Sequence, residues 1–399
     1  MAGWSGVVGP LEEFAEGFRG ELAGTGYASR SSEAQLGLMK HVSRWLSAQG
    51  LAAGDLTAEV AGRFVVDRRC SHRSLRSSRA LVPLLAYLRS RGAIPPAPAV
   101  VATGPTDVLL ERFSVYLSCE RGLAAATVRS YVSQVRPFVV GHVGAGWGAL
   151  TSRQVAVFVT ERSVTQRPRS VAVGANALRA LLRWMWREGM VSSPLLADAV
   201  GKFAAPAGNV PRSALSRDET ADLVAGLPDG PVRLRNEPLL ALMWRLGLRA
   251  GEVGALQLED INWRVGVLLV RGKRRRLDHV PLPVDIGELL ARYLSRARPH
   301  GSAHREVFLA LDAPHGPLGA AAVSSVAARA LAGAGIPGRG AAHRLRHSAA
   351  CGVLAAGGGL IEVGQLLRHS SPETSAIYAR SDHRALAVLA RPWPTGATR

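Results

Sequence analysis

His343-Arg344-Leu345-Arg346-His347, followed by Leu367-Arg368-His369 and, nine positions beyond His369, by Tyr378, is the stretch whose reading decides this chain. His343 and Arg346 stand three residues apart, so on a helix they share a face and can serve one phosphate together. Upstream lie Gly247-Leu248-Arg249-Ala250-Gly251-Glu252 and Gly272-Lys273. A phosphodiester under attack gains charge on its non-bridging oxygens, and rigid guanidinium forks bind those oxygens with paired hydrogen bonds better than an ammonium does. Arg249 and Arg346 are the candidates for that task, and Glu252 is close enough to hold Arg249 by an ion pair. A phenol loses its proton near pH ~10, so attack by Tyr378 at neutral pH needs concerted proton removal or cationic neighbours. Two arginines and a histidine supply that setting. Alone, each arginine reads as a surface residue and Tyr378 as a half-buried core tyrosine; the ordered set of Arg249, Lys273, His343, Arg346, His369 and Tyr378 reverses that reading and suits breaking and rejoining a DNA phosphodiester through a tyrosine.

His343 and His347 also have the spacing of a zinc-binding H-x-x-x-H pair. Such a site needs glutamate where Arg344 stands, and Arg346 puts a cation beside any metal, so no metal site is expected. Nor is there a phosphate-cradling glycine motif, and no cofactor is expected.

The six residues in this order closely resemble the tyrosine recombinase (phage integrase) family, over roughly residues 105 to 390. The resemblance implies that Tyr378 attacks the scissile phosphate to leave a 3′-phosphotyrosyl link and a free 5′ hydroxyl, with His369 donating a further hydrogen bond to the phosphate. It implies that Lys273 is the general acid for the departing 5′ oxygen, that His347 is structural, and that four protomers assemble on two duplex sites, with partner recombinases open. Two departures are visible: no second glycine follows Lys273, and Arg368 stands where the family usually has glycine. The second bears on how closely this turn approaches DNA. It keeps in play the alternative of a catalytically weak or inactive DNA-binding accessory protein of the same fold.

Lys273 sits in Arg271-Gly272-Lys273-Arg274-Arg275-Arg276, where Arg271, Arg274, Arg275 and Arg276 read as DNA-phosphate contacts. The whole chain, 399 residues long, carries 49 Lys and Arg against 30 Asp and Glu, a formal charge of +19 spread without a basic tail. Such a field attracts polyanions, double-stranded DNA among them, although a source rich in Ala, Arg and Gly would raise the arginine count by itself. Cys70, Cys119 and Cys351 are isolated, which excludes a zinc ribbon or a disulfide framework and fits a reducing compartment. With no export signal at Met1 to Pro10 and no apolar run of membrane length, a cytoplasmic, nucleoid-associated protein without membrane contact is expected.

The first two hundred residues repeat a pattern. Leu11-Glu12-Glu13-Phe14 answers Leu110-Glu111-Arg112-Phe113, Leu56-Thr57 with Phe64-Val65 answers Leu150-Thr151 with Phe158-Val159, and Leu84 to Arg89 answers Leu181 to Trp186. The offset is 99 at Leu11/Leu110, 94 at Leu56/Leu150 and 97 at Leu84/Leu181, on apolar positions at helical spacing. Two copies of a small module of four or five helices follow, unless two Leu-rich stretches align by chance.

Pro95 to Pro98 and Pro206 to Pro211 read as linkers. Ser216 with Glu219 is a capping box, Leu239 to Leu248 a helix leading into Arg249, and Val265 to Val270 with Leu277 to Leu282 a β-hairpin around the basic loop. Helices follow at Ile286 to Tyr293, Ala320 to Gly333 and His343 to Ala356, with a short amphipathic tail at Ala385 to Ala390. The expected fold is mainly α, with a first helical module at 8–94 for accessory DNA or protein contacts and a core-type helical DNA-binding module at 105–203. A mostly helical catalytic domain with one small antiparallel sheet follows at 212–390.

Overall fold

The structure, a computed structural model, describes residues 6–71, 78–96, 104–201, 214–272, 276–336, 340–369 and 378. Backbone contacts divide the chain into two compact units, Pro98–Val210 in one and Met1–Ala97 with Pro211–Arg399 in the other. Part of the linker at Pro95 to Pro98, all of that at Pro206 to Pro211, Lys273, Arg274 and Arg275 of the basic loop, and the tail at Ala385 to Ala390 lie outside the described residues.

The first segment holds α1 (Ala15–Gly24), α2 (Ser29–Ala48), α3 (Ala58–Ser71) and α4 (Val82–Ser90). The second unit holds α5 (Pro105–Val115), α6 (Ala125–His142), α7 (Ser152–Thr165) and α8 (Pro168–Arg187). Each set closes on its own core, and most positions that answer one another in sequence do so in burial, although Phe14 and Phe158 are half-buried where Phe113 and Phe64 are buried. Leu11 and Leu110, Leu56 and Leu150, Val65 and Val159, Leu84 and Leu181, and Tyr87 and Trp184 are all buried. Phe18 meets Tyr87 at 5.3 Å between ring centroids, and Phe113 meets Trp184 at 5.4 Å. Two tandem helical modules of one pattern are therefore present. The sets differ most at their last helix: α8 runs for 20 residues and α4 for 9, although each has a proline in its first turn.

The remaining segment begins with α9 (Arg217–Ala225), entered through the capping box: Ser216 Oγ accepts from the Glu219 N–H at 3.0 Å, and the Ser216 N–H donates to Glu219 Oε2 at 2.8 Å. Helix α10 (Pro231–Trp244) buries Leu239, Leu240, Ala241, Leu242 and Met243 in succession. A helix apolar on every side belongs at a centre, and α10 packs against α12 (Val284–Arg296) and α14 (Ala341–Ala355). It starts eight residues before the expected Leu239 and ends four before Leu248. Gly247 explains the early stop: its φ of +62° is incompatible with continuing a right-handed helix.

After the short α11 (Ala250–Gly254) come β1 (Ile261–Asn262), β2 (Val267–Arg271) and β3 (Leu277–Pro281), an antiparallel sheet in the order β1-β2-β3. Arg271 faces Leu277 across the last rung, so the hairpin turn is the basic loop. β1 is a strand the sequence pattern did not announce, being only two residues long. Helix α13 (Ala320–Gly333) packs on α11 and α14, and α15 (Leu360–Leu367) packs on α14. The fold is mostly helical with one small sheet.

Candidate active site

Three chain segments converge at the end of α10. The turn from Trp244 brings Gly247 against Leu367 at the end of α15, so closely that a Cβ on Gly247 would stand 2.6 Å from Leu367 Cδ2. Only glycine meets both that approach and the left-handed φ. Helix α14 lies alongside and inserts Arg346, 4% exposed, between the two. The Arg346 guanidinium donates to the carbonyl of Gly247 and, at 2.5 Å, to that of Leu367. It thus ties α14 to the ends of α10 and α15. A guanidinium has five N–H groups, so two such bonds leave donors for a phosphate. Burial, then the neighbouring Arg249 charge, pushes Arg346 down to about 10.

Arg249 is the N-cap of α11, in extended backbone, and Glu252 is the third residue of that helix. The Glu252 carboxylate turns back to accept from the Arg249 N–H at 2.9 Å and from Arg249 Nη1 at 2.5 Å. The ion pair foreseen from the spacing is present, made across a helix start and not along a helix. The Arg249 side chain stays 46% exposed, against 5% for Glu252. Burial opposes ionisation of Glu252, yet the Arg249 N–H, the Arg368 charge and the Arg249 guanidinium outweigh it and hold the carboxyl below the usual carboxylate range.

Helix α15 ends in a Schellman turn, with the Arg368 N–H on the Gln365 carbonyl at 3.0 Å and the His369 N–H on that of Gly364 at 3.0 Å. That turn fixes His369 beside the arginines. Burial, then the charges of Arg346, Arg249 and Arg368, pushes His369 down to about 4, so its imidazole is neutral at pH 7. Tyr378 is 2% exposed and packs with Ala350, Leu354, Val363 and Leu367. Its ring lies 6.3 Å from that of His369 and 5.1 Å from that of His347. Burial raises the Tyr378 phenol above its usual value, against the charges of Arg346 and Arg249, which lower it.

Arg249, Arg346, His369 and Tyr378 are thus brought together. His343 is exposed at the start of α14, one turn before His347, whose ring is held below its usual value by burial and then by His343. Lys273, Arg274 and Arg275 lie outside the described residues. Of the other two loop arginines, Arg271 pairs with Asp260, and Arg276 Nε meets Asp278 Oδ1 at 2.7 Å. Sequence reasoning named two neighbours of the set without seeing their contacts: His347, read as structural, stacks on Tyr378, and Arg368, read as a departure from glycine, has Nη2 2.7 Å from Glu252 Oε2. The signal for His347 was its place one residue after Arg346; for Arg368 it was a long cation at a helix end that ordinarily takes glycine. Among the described residues no group of three or more His, Cys, Asp or Glu is placed to hold a metal ion.

Residues 213–384 match the description "Phage integrase family" and residues 110–189 "Phage integrase, N-terminal SAM-like domain". The "Putative integrase/recombinase y4rA" of Sinorhizobium fredii is 34% identical over 395 residues, covering 97% of this chain and 95% of that one. The chain belongs to the phage integrase family of tyrosine recombinases. The "Tyrosine recombinase XerD" of Xanthomonas axonopodis pv. citri is 34% identical over 290 residues, 69% of this chain and 93% of its own. In fold, the chain is similar to the XerH site-specific recombinase bound to palindromic difH substrate, with a TM-score of 0.58 at 19% identity over 73% of this chain and 97% of that one. It is also similar to the lambda integrase (75-356) dimer bound to a COC' core site, with a TM-score of 0.51 at 21% identity over 73% and 99%. The recombinase fold and the DNA-recombination family expected from the sequence are thus shown. No helix among the described residues is long and apolar enough to cross a membrane.

Proposed function

We propose that this chain is an active site-specific DNA recombinase that cuts and rejoins strands at specific duplex sites, in integration, excision or transposition. The observation that carries this is the Tyr378 hydroxyl group's setting: a ring 6.3 Å from His369, within the field of Arg346 and Arg249. In the proposed step the Tyr378 oxygen forms a bond to the scissile phosphorus and loses its proton, and the bond from phosphorus to the 5′ oxygen breaks. Arg249, Arg346 and the neutral His369 donate to the non-bridging oxygens as charge builds there. Lys273 protonates the departing 5′ oxygen. A 5′ hydroxyl from a partner strand then attacks the phosphotyrosine and releases Tyr378. One phosphodiester replaces another, so no nucleotide cofactor is called for.

His343 completes the phosphate grip, and Arg271, Arg274, Arg275 and Arg276 hold the backbone of the duplex. Residues 105–203 and 212–390 act as DNA-binding and catalytic domains, and residues 8–94 as an accessory DNA or protein-contact module. Four protomers assemble on two sites, in the cytoplasm on nucleoid DNA, with or without partner recombinases. The test is covalent trapping on nicked suicide duplexes built from the DNA flanking the gene for this chain. The expected result is a denaturation-resistant protein–DNA adduct through Tyr378; sequence-specific binding without any adduct would leave a DNA-binding accessory protein in its place.

A further inference from the structure

We propose that Arg368 is a positioning residue of this site, which occupies one oxygen of Glu252 and so keeps the Arg249 guanidinium free to face the DNA phosphate. The inference rests on the cleavage reading above and deepens it. Arg368 has φ +52° and ψ +50°, a left-handed conformation that L side chains adopt rarely, and its side chain is only 6% exposed. A long cation is not kept in that backbone region and out of water without a counterpart. Its counterpart is Glu252, met at 2.7 Å by Nη2, while Nη1 donates to the carbonyls of Leu366 at 3.1 Å and Leu246 at 3.4 Å.

Glu252 therefore serves two cations. Oε2 accepts from the Arg249 N–H and from Arg368, and Oε1 accepts from Arg249 Nη1. Without Arg368 the carboxylate would be free to take Arg249 by both nitrogens of its fork, the arrangement that carboxylates and guanidinia favour. That pairing would turn the donors of Arg249 away from the phosphate and cancel its charge. The charges make the same point. Arg249, Arg346 and Arg368 set against Glu252 give three minus one, a net +2, which falls to +1 when residue 368 is uncharged. A reacting phosphodiester gains negative charge, so the second positive charge acts most on the transition state. Arg368 is buried behind Glu252, so it governs the cleavage step and not the grip on DNA.

The test uses the full chain and the nicked suicide duplex, reading site affinity and the single-turnover rate of adduct formation separately. Arg368→Gly suits the left-handed turn better than arginine does, so the fold is expected to persist. Affinity should stay within about twofold and the cleavage rate should fall about 10- to 100-fold, the usual loss when a residue that orients a reactive group is removed. Arg368→Lys should recover part of the rate, by returning charge without the fork. Arg368→Gln, which keeps the stem and removes the charge, gives a second reading of the same loss should glycine lower the Tm. The decisive comparison is made in a Glu252→Gln background, where the Arg368→Gly effect should shrink to a few-fold because the carboxylate it acts through is gone. An equal loss in both backgrounds, or undiminished cleavage by both Arg368→Gly and Arg368→Gln, overturns the inference while leaving the cleavage reading intact. A parent chain that forms no adduct overturns the cleavage reading itself.

Discussion

Arg346→Lys separates the structural tie that Arg346 makes from the phosphate grip proposed for it. The guanidinium bridges two carbonyls from different segments, Gly247 after α10 and Leu367 at the end of α15. A lysine ammonium in the same 4% exposed position can meet one of them but lacks the fork that spans both. Losing one charged hydrogen bond costs about 1.5–3 kcal/mol of stability. At roughly 2–4 °C per kcal/mol for a domain of this size, Tm falls by about 3–12 °C. The kinetic loss comes on top. One preorganised donor to a developing oxyanion is worth roughly 3 kcal/mol, or about 100- to 1000-fold in rate. The assay is single-turnover adduct formation on a nicked suicide duplex, at saturating protein and well below the variant's own Tm, so that unfolding does not enter the rate. A variant that stays folded and cleaves within a few-fold of the parent would refute the assignment of Arg346 to the phosphate. An unchanged Tm would refute its role as the tie between the three segments.

Tyr378→Phe is expected to abolish the covalent adduct while leaving site affinity nearly unchanged, checked by denaturing gels beside a binding isotherm; an adduct from the Phe variant would mean another nucleophile. Adduct formation in EDTA is expected to match that in magnesium, because the proposed mechanism assigns its acid role to Lys273; a strict divalent requirement for cleavage would contradict that. His369, with its pKa pushed down to about 4, should show that titration midpoint by NMR in the free protein and a higher one once a phosphodiester occupies the site. The sign for folding follows: as pH falls from about 6.5 through 4, the unfolded chain takes up a proton that the folded site refuses, so stability is lost across that window. A fragment starting near Thr106 should still cleave core sites, with a shorter footprint and a shallower salt dependence if residues 8–94 neutralise phosphates, each worth about −0.9 in the log–log slope; identical slopes would assign that module to protein contacts.

Much of the site was legible in the sequence because its order along the chain is its chemistry. Arg249 with Glu252 could be named from spacing, Arg346 from its spacing to His343, His369 from the family resemblance, and the Ser216–Glu219 capping box from two residue types. What spacing could not give is which way a side chain turns. His343 and Arg346 are three residues apart on one helix, yet one is exposed and the other is buried between two carbonyls, because His343 lies in the first turn of α14, just before the stretch Arg344 to His347 that is buried in succession. The end of α10 was misplaced for a similar reason. Leu246 and Leu248 continue the apolar run, while Gly247 turns with a positive φ where Leu367, over a hundred residues away in sequence, packs against it. Arg368 was visible as a departure, but its consequence depends on its pairing with Glu252, 116 positions earlier in sequence.

The site is strained in charge before any DNA arrives. Three guanidinia face one carboxylate, and burial with the neighbouring charges pushes Arg346 down to about 10 and His369 to about 4. A buried cluster of this kind contributes little to stability, and replacing it by well-packed apolar side chains would be neutral or stabilising. Under the proposed mechanism its use is for a ligand: an anion placed among Arg249, Arg346 and His369 would relieve their mutual repulsion, most at the point in the reaction where its own charge is greatest. Tyr378 lies under the opposite constraint. Burial disfavours its phenolate, against the charges of Arg346 and Arg249. Under the proposed mechanism one set of charges would therefore serve both halves of the reaction, and Glu252, held between Arg249 and Arg368, would set how much of that charge is left for the phosphate.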